Sequence, residues 1–577
     1  MFSYVTSGAV FGITSYLIQV ETDLSDGLPG LTMTGSVSGP VRESGERVRV
    51  AMKNSGYRLP PSRITVNFSP ADIPKKDVIL DLPMAAGILI CMGILRQDAL
   101  DGTMIVGELS LDGDVKPVRG VLPMAEEARR QNCVTLIVPR DNAREAAMVR
   151  GLRIIGVGSI NEMVGYLNAD EMEREKMIEP EKADLLLLLS KLSYTGISDL
   201  ADVHGQAGVK RVLEIAAAGF HNALMIGPPG SGKSMLARCM PGILPPLTPE
   251  ESIEVTRVYS VAGRLPEESP IILKRPFVAP HHSVTPQALA GGGVIPSPGL
   301  ISLAHRGVLF LDELPEFARD TLNLLRQPME EHRIMISRAQ NSVTFPARCL
   351  VLAAMNPCPC GFYPDRKRCK CTRHEIERYE EKVPGPIIDR FDLCVDVPRV
   401  PVSALMTKEK EESSEDVRER VLNAAKRQKK RFAGTDIHFN ADMNAAAVDH
   451  FVKLEYNERM FIRDIFEKDD LSARAYHKTL KVAQTIADLE GSEKITEDIL
   501  AEAVGYRIAD RQHDESNAAG RSKRQLRVGE ALPEYGEPEE DAAFGAALSP
   551  EAEEEIPEIH STMGTAFHSY RFTQKGY

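Results

Sequence analysis

Over residues 1–165, short runs of β-branched residues alternate with stretches of small apolar residues at helical spacing. Ile64-Thr65-Val66-Asn67-Phe68 and Thr135-Leu136-Ile137-Val138 read as strands, while 82–95 and 122–130 read as helices. Residues 166–183, running through Leu167-Asn168-Ala169-Asp170-Glu171, are polar and acidic and predict a connector. Over 184–400, apolar runs of strand length lead into loops and then into helical patterns, the signature of an α/β unit around a parallel sheet. From 401 to 508 the apolar spacing is three and four residues throughout, which predicts helices and no strand. Beyond Arg511 the pattern dissolves. Residues 530–559 hold eleven acidic and no basic side chains, so 509–577 is expected to be a disordered acidic tail.

Composition narrows the class. The 577 residues suggest three or four domains, and 43% hydrophobic with 26% charged content is that of a globular protein. A wholly disordered chain, a collagen and a coiled-coil rod are excluded. Trp is absent and aromatics make up 6%, which argues against a stacking platform for bases. The 69 basic residues against 82 acidic ones give a net charge of −13, which disfavours a passive nucleic-acid coat but permits a local basic channel. The N-terminus lacks the basic region and apolar core of a signal peptide, and the longest apolar run, 84–95, is too short to cross a bilayer. A cytoplasmic location with no membrane contact is expected. Nine cysteines in a reducing compartment are no disulfide framework, and four of them fall within 358–371.

The strongest chemical signal is Gly227-Pro228-Pro229-Gly230-Ser231-Gly232-Lys233-Ser234, between the apolar run 223–226 and a helical pattern that opens with Met235. Glycines let backbone N–H groups turn inward around phosphates, and the helix N-terminus adds its dipole. Lys233 would reach the β- and γ-phosphates of ATP, and the Ser234 hydroxyl would ligate Mg²⁺. The run Gly307-Val308-Leu309-Phe310-Leu311 ends in Asp312 and Glu313, suited to the Mg²⁺ shell and to a base for the attacking water. The run 349–355 ends at Asn356, a neutral amide able to hold that water. These elements specify nucleotide hydrolysis.

Directly afterwards come Cys358, Cys360, Cys369 and Cys371, two C-x-C pairs that can place four thiolates around one structural Zn²⁺. Unmetallated thiols or a redox pair are the alternatives. Arg366, Lys367, Arg368 and Lys370 would offset the thiolate charge or touch a nucleic-acid backbone; a solvated positive face is the simpler reading.

The chain resembles the AAA+ ATPases and, within them, the magnesium-chelatase-like YifB/ComM family. The resemblance rests on Arg211-Val212-Leu213-Glu214-Ile215-Ala216-Ala217-Ala218-Gly219, Ala279-Pro280-His281-His282-Ser283, Gly291-Gly292-Gly293, Ile301-Ser302-Leu303-Ala304-His305-Arg306-Gly307 and Pro386-Ile387-Ile388-Asp389-Arg390-Phe391-Asp392, and it covers about 1–508. It implies an AAA+ P-loop core at 184–400 and an α-helical lid at 401–508. It also implies that Arg390 is an arginine finger reaching a neighbour's γ-phosphate, and that Arg474, in Leu471-Ser472-Ala473-Arg474-Ala475, is a sensor at the start of a lid helix. A finger acting on a neighbour requires a ring, hence a homo-hexamer. The resemblance makes the substrate branched or single-stranded DNA, with branch migration or helicase activity in recombination or transformation. A chelatase- or chaperone-type motor on a protein partner is the alternative.

Residues 1–165, through Leu111-Asp112-Gly113-Asp114-Val115-Lys116-Pro117-Val118-Arg119-Gly120 and Leu136-Ile137-Val138-Pro139-Arg140-Asp141-Asn142, resemble the proteolytic domain of Lon, an α+β unit that uses a Ser–Lys dyad. Here the serine-bearing helix reads Asp81-Leu82-Pro83-Met84-Ala85-Ala86-Gly87, and the lysine position falls near Leu122. A dyad with neither nucleophile nor base does no acyl chemistry. His281 and His282 could look like a metal pair, but adjacent residues on one strand point to opposite faces, so a structural role in a loop is expected. The basic run 426–431 reads as a solvated helix face.

Overall fold

The computed structural model describes residues 1–507 apart from 73–74, 76–77, 191–193, 195, 267–268, 270, 294–295, 338–341, 401–410 and 469–471. The expected acidic tail lies outside the described residues. Two sheets organise the rest. The first has seven strands in the order Gly30–Thr34, Arg63–Ser69, Thr14–Ser25, Phe2–Phe11, Thr103–Ile105, Thr135–Pro139, Arg153–Val157. Phe2–Phe11 and Thr14–Ser25 form an antiparallel hairpin, and the strands from Thr103–Ile105 outward run parallel to it. Alternate residues such as Val5, Ile18, Val20, Val66 and Phe68 are buried, and so is every residue of the helix Asp81–Cys91 packed on this sheet. That helix stops short of the expected Leu95 because Gly93 takes a φ of 73°, a left-handed step that glycine makes at little cost.

The segment 166–183 is no open tether. It completes the helix Ile160–Asn168 and forms Glu171–Met177, capped by Asp170, and Glu181 N–H donates to Ile154 at 3.0 Å on the sheet edge. Ile178 and Ala183 pack into the first core while the acidic side chains stay outside, so the sparse apolar spacing, not the charge, decided the structure.

The second sheet is all parallel, in the order Phe277–Val278, Val308–Leu311, Leu350–Met355, Ala223–Ile226, Leu393–Asp396. Its central strands are continuously apolar because both faces are covered. Met225, Phe310 and Leu352 face the helices Ala207–Gly219 and Lys233–Ile243, whereas Leu224, Leu309 and Val351 face a separate core with Phe317, Leu325 and Phe391. The helices Ser414–Arg431, Ala445–Phe451, Tyr456–Lys468 and Ala473–Glu490 form the lid and join the first of these two cores. The fold is thus an AAA+ P-loop core with a parallel sheet and an α-helical lid, preceded by a Lon-like α+β unit.

The helix Pro249–Ala262 joins the two sheet units. Gly120 N–H donates to Ser260 O at 3.2 Å, Arg257 pairs with Glu126 at 2.6 Å, and the Ser260 hydroxyl donates to Glu145. Glu145 is buried and also accepts from Leu122 N–H and the Asn142 amide; burial pushes its carboxyl up. Where the Lon pattern would place its lysine, a backbone N–H is therefore fastened to an interdomain carboxylate. Among the described residues no helix is long and apolar enough to cross a membrane.

Candidate nucleotide-binding site

Strand Ala223–Ile226 delivers the chain to the carboxyl edge of the sheet, where it turns through Gly227-Pro228-Pro229-Gly230-Ser231-Gly232 into the helix Lys233–Ile243. Glycine is required at two kinds of position here. A Cβ on Gly227 would fall 2.4 Å from Val397 O, and Gly230 and Gly232 have φ of 74° and 91°. Lys233 is buried and donates to Gly227 O at 2.6 Å, Pro228 O at 3.0 Å and Asn356 Oδ1 at 3.2 Å. Burial lowers its pKa, and the charges of Asp312 and Glu313 oppose that shift.

Adjacent parallel strands bring the other residues in. Ser234 Oγ donates to Asp312 Oδ2 at 2.6 Å, so two hard oxygen donors converge as Mg²⁺ coordination demands. Glu313 has a φ of 52°, left-handed for a non-glycine residue, and its N–H donates to Asp312 Oδ1 at 3.0 Å. Its carboxylate meets His282 Nδ1 at 3.3 Å. His281 and His282 follow the strand Phe277–Val278 in a turn, their rings lie 4.0 Å apart, and the pleat of a strand does not separate them.

Two cavities flank the phosphate loop. One, of about 510 Å³, is lined by Glu313, Asn356, Pro359, Arg378, Tyr379 and Lys382. The other, of about 450 Å³, runs along the loop between Asp202, His204, Gln206, Gly230, Met235 and Arg399. Gln206 donates to Ser231 O at 3.2 Å and Pro398 O at 2.6 Å, tying the loop to its flanks. Sequence spacing singled out none of Gln206, Arg378 or Arg399, because each reaches the site from an element distant in the chain.

Cys358, Cys360, Cys369 and Cys371 gather with every sulfur within 4.8 Å of the others. Cys358 lies 3.4 Å from Cys360 and 3.8 Å from Cys369, and a tetrahedron with Zn–S bonds of about 2.3 Å has edges of about 3.8 Å, so the residues fit zinc. Burial raises the Cys360 thiol, but the Phe362 N–H and the neighbouring thiols outweigh it and bring the pKa down to about 6. The knot abuts the phosphate loop. Gly361, at φ 81°, has no room for a Cβ, which would sit 2.5 Å from Pro229 Cδ. Arg366, Lys367, Arg368 and Lys370 are exposed.

Arg390 and Arg474 converge on one carboxylate, Glu330, at the end of the short helix Arg326–Glu331; their Nη2 atoms lie 2.8 and 2.5 Å from its Oε1. The turn carrying Arg390 is fastened to the lid. Asp392 pairs with Lys478 at 2.8 Å, and Phe391 O accepts from Lys478 at 3.1 Å and Arg507 at 2.6 Å. Burial alone would raise the Asp392 carboxyl, but Lys478 and His221 hold it well below the usual range.

Three family models match the chain. Residues 199–405 match "Magnesium chelatase, subunit ChlI", 20–142 match "Subunit ChlI of Mg-chelatase", and 411–507 match "Magnesium chelatase, subunit ChlI C-terminal". The chain is 42% identical over 510 residues to the competence protein ComM of Haemophilus influenzae, covering 87% of this chain and 97% of that protein. It is 41% identical over 510 residues to YifB of Escherichia coli, covering 88% and 97%. A shorter likeness, 30% over 133 residues, covers 23% of this chain and 23% of Lon protease 2 of Bacillus subtilis.

Proposed function

The chain belongs to the YifB/ComM family of magnesium-chelatase-like proteins, and from that premise we propose that it is an ATP-hydrolysing hexameric ring motor that moves branched or single-stranded DNA. The observation that carries the proposal is the meeting of Lys233, Ser234, Asp312, Glu313 and Asn356 at the carboxyl ends of three adjacent parallel strands. Ligands of open parallel sheets bind at that edge.

Ser234 and Asp312 would hold Mg²⁺, which supplies charge neutralisation at the phosphates. The Lys233 ammonium, now spent on two carbonyls and the Asn356 amide oxygen, exchanges those partners for phosphate oxygens. Glu313 takes the proton of the attacking water and Asn356 orients that water. The cavity beside Gln206, His204 and Arg399 has room for the base and sugar. Arg390 and Arg474 supply charge to the transition state of a neighbouring copy. The four cysteines would hold a structural Zn²⁺, which would brace the loop. The competence name of the Haemophilus relative supports a setting in natural transformation.

The test is ATP turnover measured with and without a four-way DNA junction, together with electron microscopy in an ATP analogue. Stimulated turnover and hexameric rings are expected. The match to a magnesium-chelatase subunit favours one second reading, a motor that remodels a protein partner. ATPase rings inert toward every branched DNA would select it.

A further inference from the structure

Glu330 was not singled out by any motif, yet it receives both arginines on a single oxygen, with Arg390 Nη2 at 2.8 Å and Arg474 Nη2 at 2.5 Å. The two nitrogens are therefore no further apart than those distances together, within reach of one phosphoryl group. The three residues come from separate elements: the helix Arg326–Glu331, the turn after Gly385–Ile388, and the first turn of Ala473–Glu490. Nothing local in the chain brings them together.

The charges explain the arrangement. Two guanidiniums this close repel each other, and the carboxylate between them offsets that repulsion while leaving the group with one net positive charge. The neighbouring Glu331 cannot substitute, because its carboxylate is taken by Gln327 at 3.2 Å and Arg333 at 3.1 Å. Arg390 also keeps a buried Nε with no hydrogen-bond partner, a donor left unused. Its backbone is fixed by the Phe391 and Asp392 contacts to the lid and its Nη1 donates to Pro386 O, so Glu330 holds the Nη2 that these contacts leave free. Glu330 and Arg474 are each about half exposed, so their ion pair is weak and readily exchanged for a more highly charged anion.

We infer that Glu330 is a positioning residue that gathers Arg390 and Arg474 into one clamp for the phosphate bound by the neighbouring copy. The inference rests on the ring reading above and adds that Glu330 is what holds the two arginines together for that site.

Replacing Glu330 by Gln keeps the side chain's size and removes the charge. Glu330→Gln is expected to lower ATP turnover roughly 10–100-fold with KM for ATP within about twofold, because misplacing a catalytic group by about 1 Å costs that order of rate. Glu330→Asp should restore part of the loss, which a merely structural residue would not show. Mixed rings then locate the defect. Lys233→Ala subunits cannot hydrolyse but still donate intact arginines, so adding them to Glu330→Gln subunits should raise turnover. Lys233→Ala/Glu330→Gln subunits should not. Wild-type turnover in Glu330→Gln, or a defect that Lys233→Ala subunits fail to relieve, overturns the inference. The parallel mixture of Arg390→Ala with Lys233→Ala separates the two levels. Relief there without relief for Glu330→Gln removes only the role of Glu330. Relief in neither removes the ring reading and the inference with it.

Discussion

The two sheets differ in what becomes of the polar side chains near their edges. In the first, those groups are used on one another. Arg47 Nε pairs with the buried Asp81 at 2.6 Å, Asp81 also accepts from Leu109 N–H, and Glu145 is shared by Leu122, Asn142 and Ser260. In the second, Glu313 and Asn356 border an open cavity, Lys233 donates to Asn356 beside it, and their contacts are ones a phosphate or a water can replace. A shared α/β grammar thus gives one unit whose polar groups hold it together and another whose polar groups are available for chemistry.

The largest expected effect tests the second half of that contrast. Glu313→Gln should retain ATP and lose turnover about 10²–10⁴-fold, the range for removing a general base, while Lys233→Ala loses binding itself. Phosphate release and equilibrium binding of a fluorescent ATP analogue separate the two; wild-type turnover in Glu313→Gln would sink its assignment.

Asp81→Ala tests the first half. Removing one partner of a buried pair leaves Arg47 uncompensated and should cost about 3 kcal/mol, seen as earlier thermal unfolding or faster hydrogen exchange over 1–165. Nucleotide affinity should not move. A parallel loss of affinity would show that the units are not independent.

A smaller effect is expected at the cysteine knot. Cys369→Ser with Cys371→Ser should remove about one zinc per chain by elemental analysis and weaken nucleotide binding a few-fold through the Gly361–Pro229 contact. Unchanged metal content would refute the ligand set.

The smallest concerns Glu254, on the helix that joins the two units. Burial would raise its carboxyl, but His305 and Arg306 outweigh it and hold the pKa at about 2. A depressed carboxyl stabilises the fold above its unfolded pKa of about 4.5, and that stability is lost as pH falls toward 2. Its side chain is 40% exposed, so screening leaves roughly 1 kcal/mol or less. Urea midpoints for Glu254→Gln and the parent should converge between pH 5 and 2; a constant gap would exclude the linkage.

What could be read from the sequence was whatever a strand and its following loop carry together. The phosphate loop, Asp312-Glu313 and Asn356 each close an apolar run, so local pattern placed them. Glu330 and Arg378 sit on helices with no distinguishing periodicity, and their meaning depends on which distant side chain lies opposite. His282 was read into a loop, where it lies, but its contact with Glu313 depends on an element distant in the chain. The acidic segment 166–183 misled in the other direction, its charges drawing attention from the few apolar residues that anchor it.

The fastening of Asp392 and Phe391 to Lys478 and Arg507 has a mechanical consequence. The helix Ala473–Glu490 carries Arg474 at one end and, through Lys478, grips the turn that presents Arg390. The lid cannot tilt without dragging that turn, so the two guanidiniums advance or withdraw as one piece. In the proposed ring each lid would act as a crank whose throw is delivered next door. A wedge under the helix in one copy would stall hydrolysis in its neighbour, while the copy that holds the wedge keeps its own phosphate loop intact.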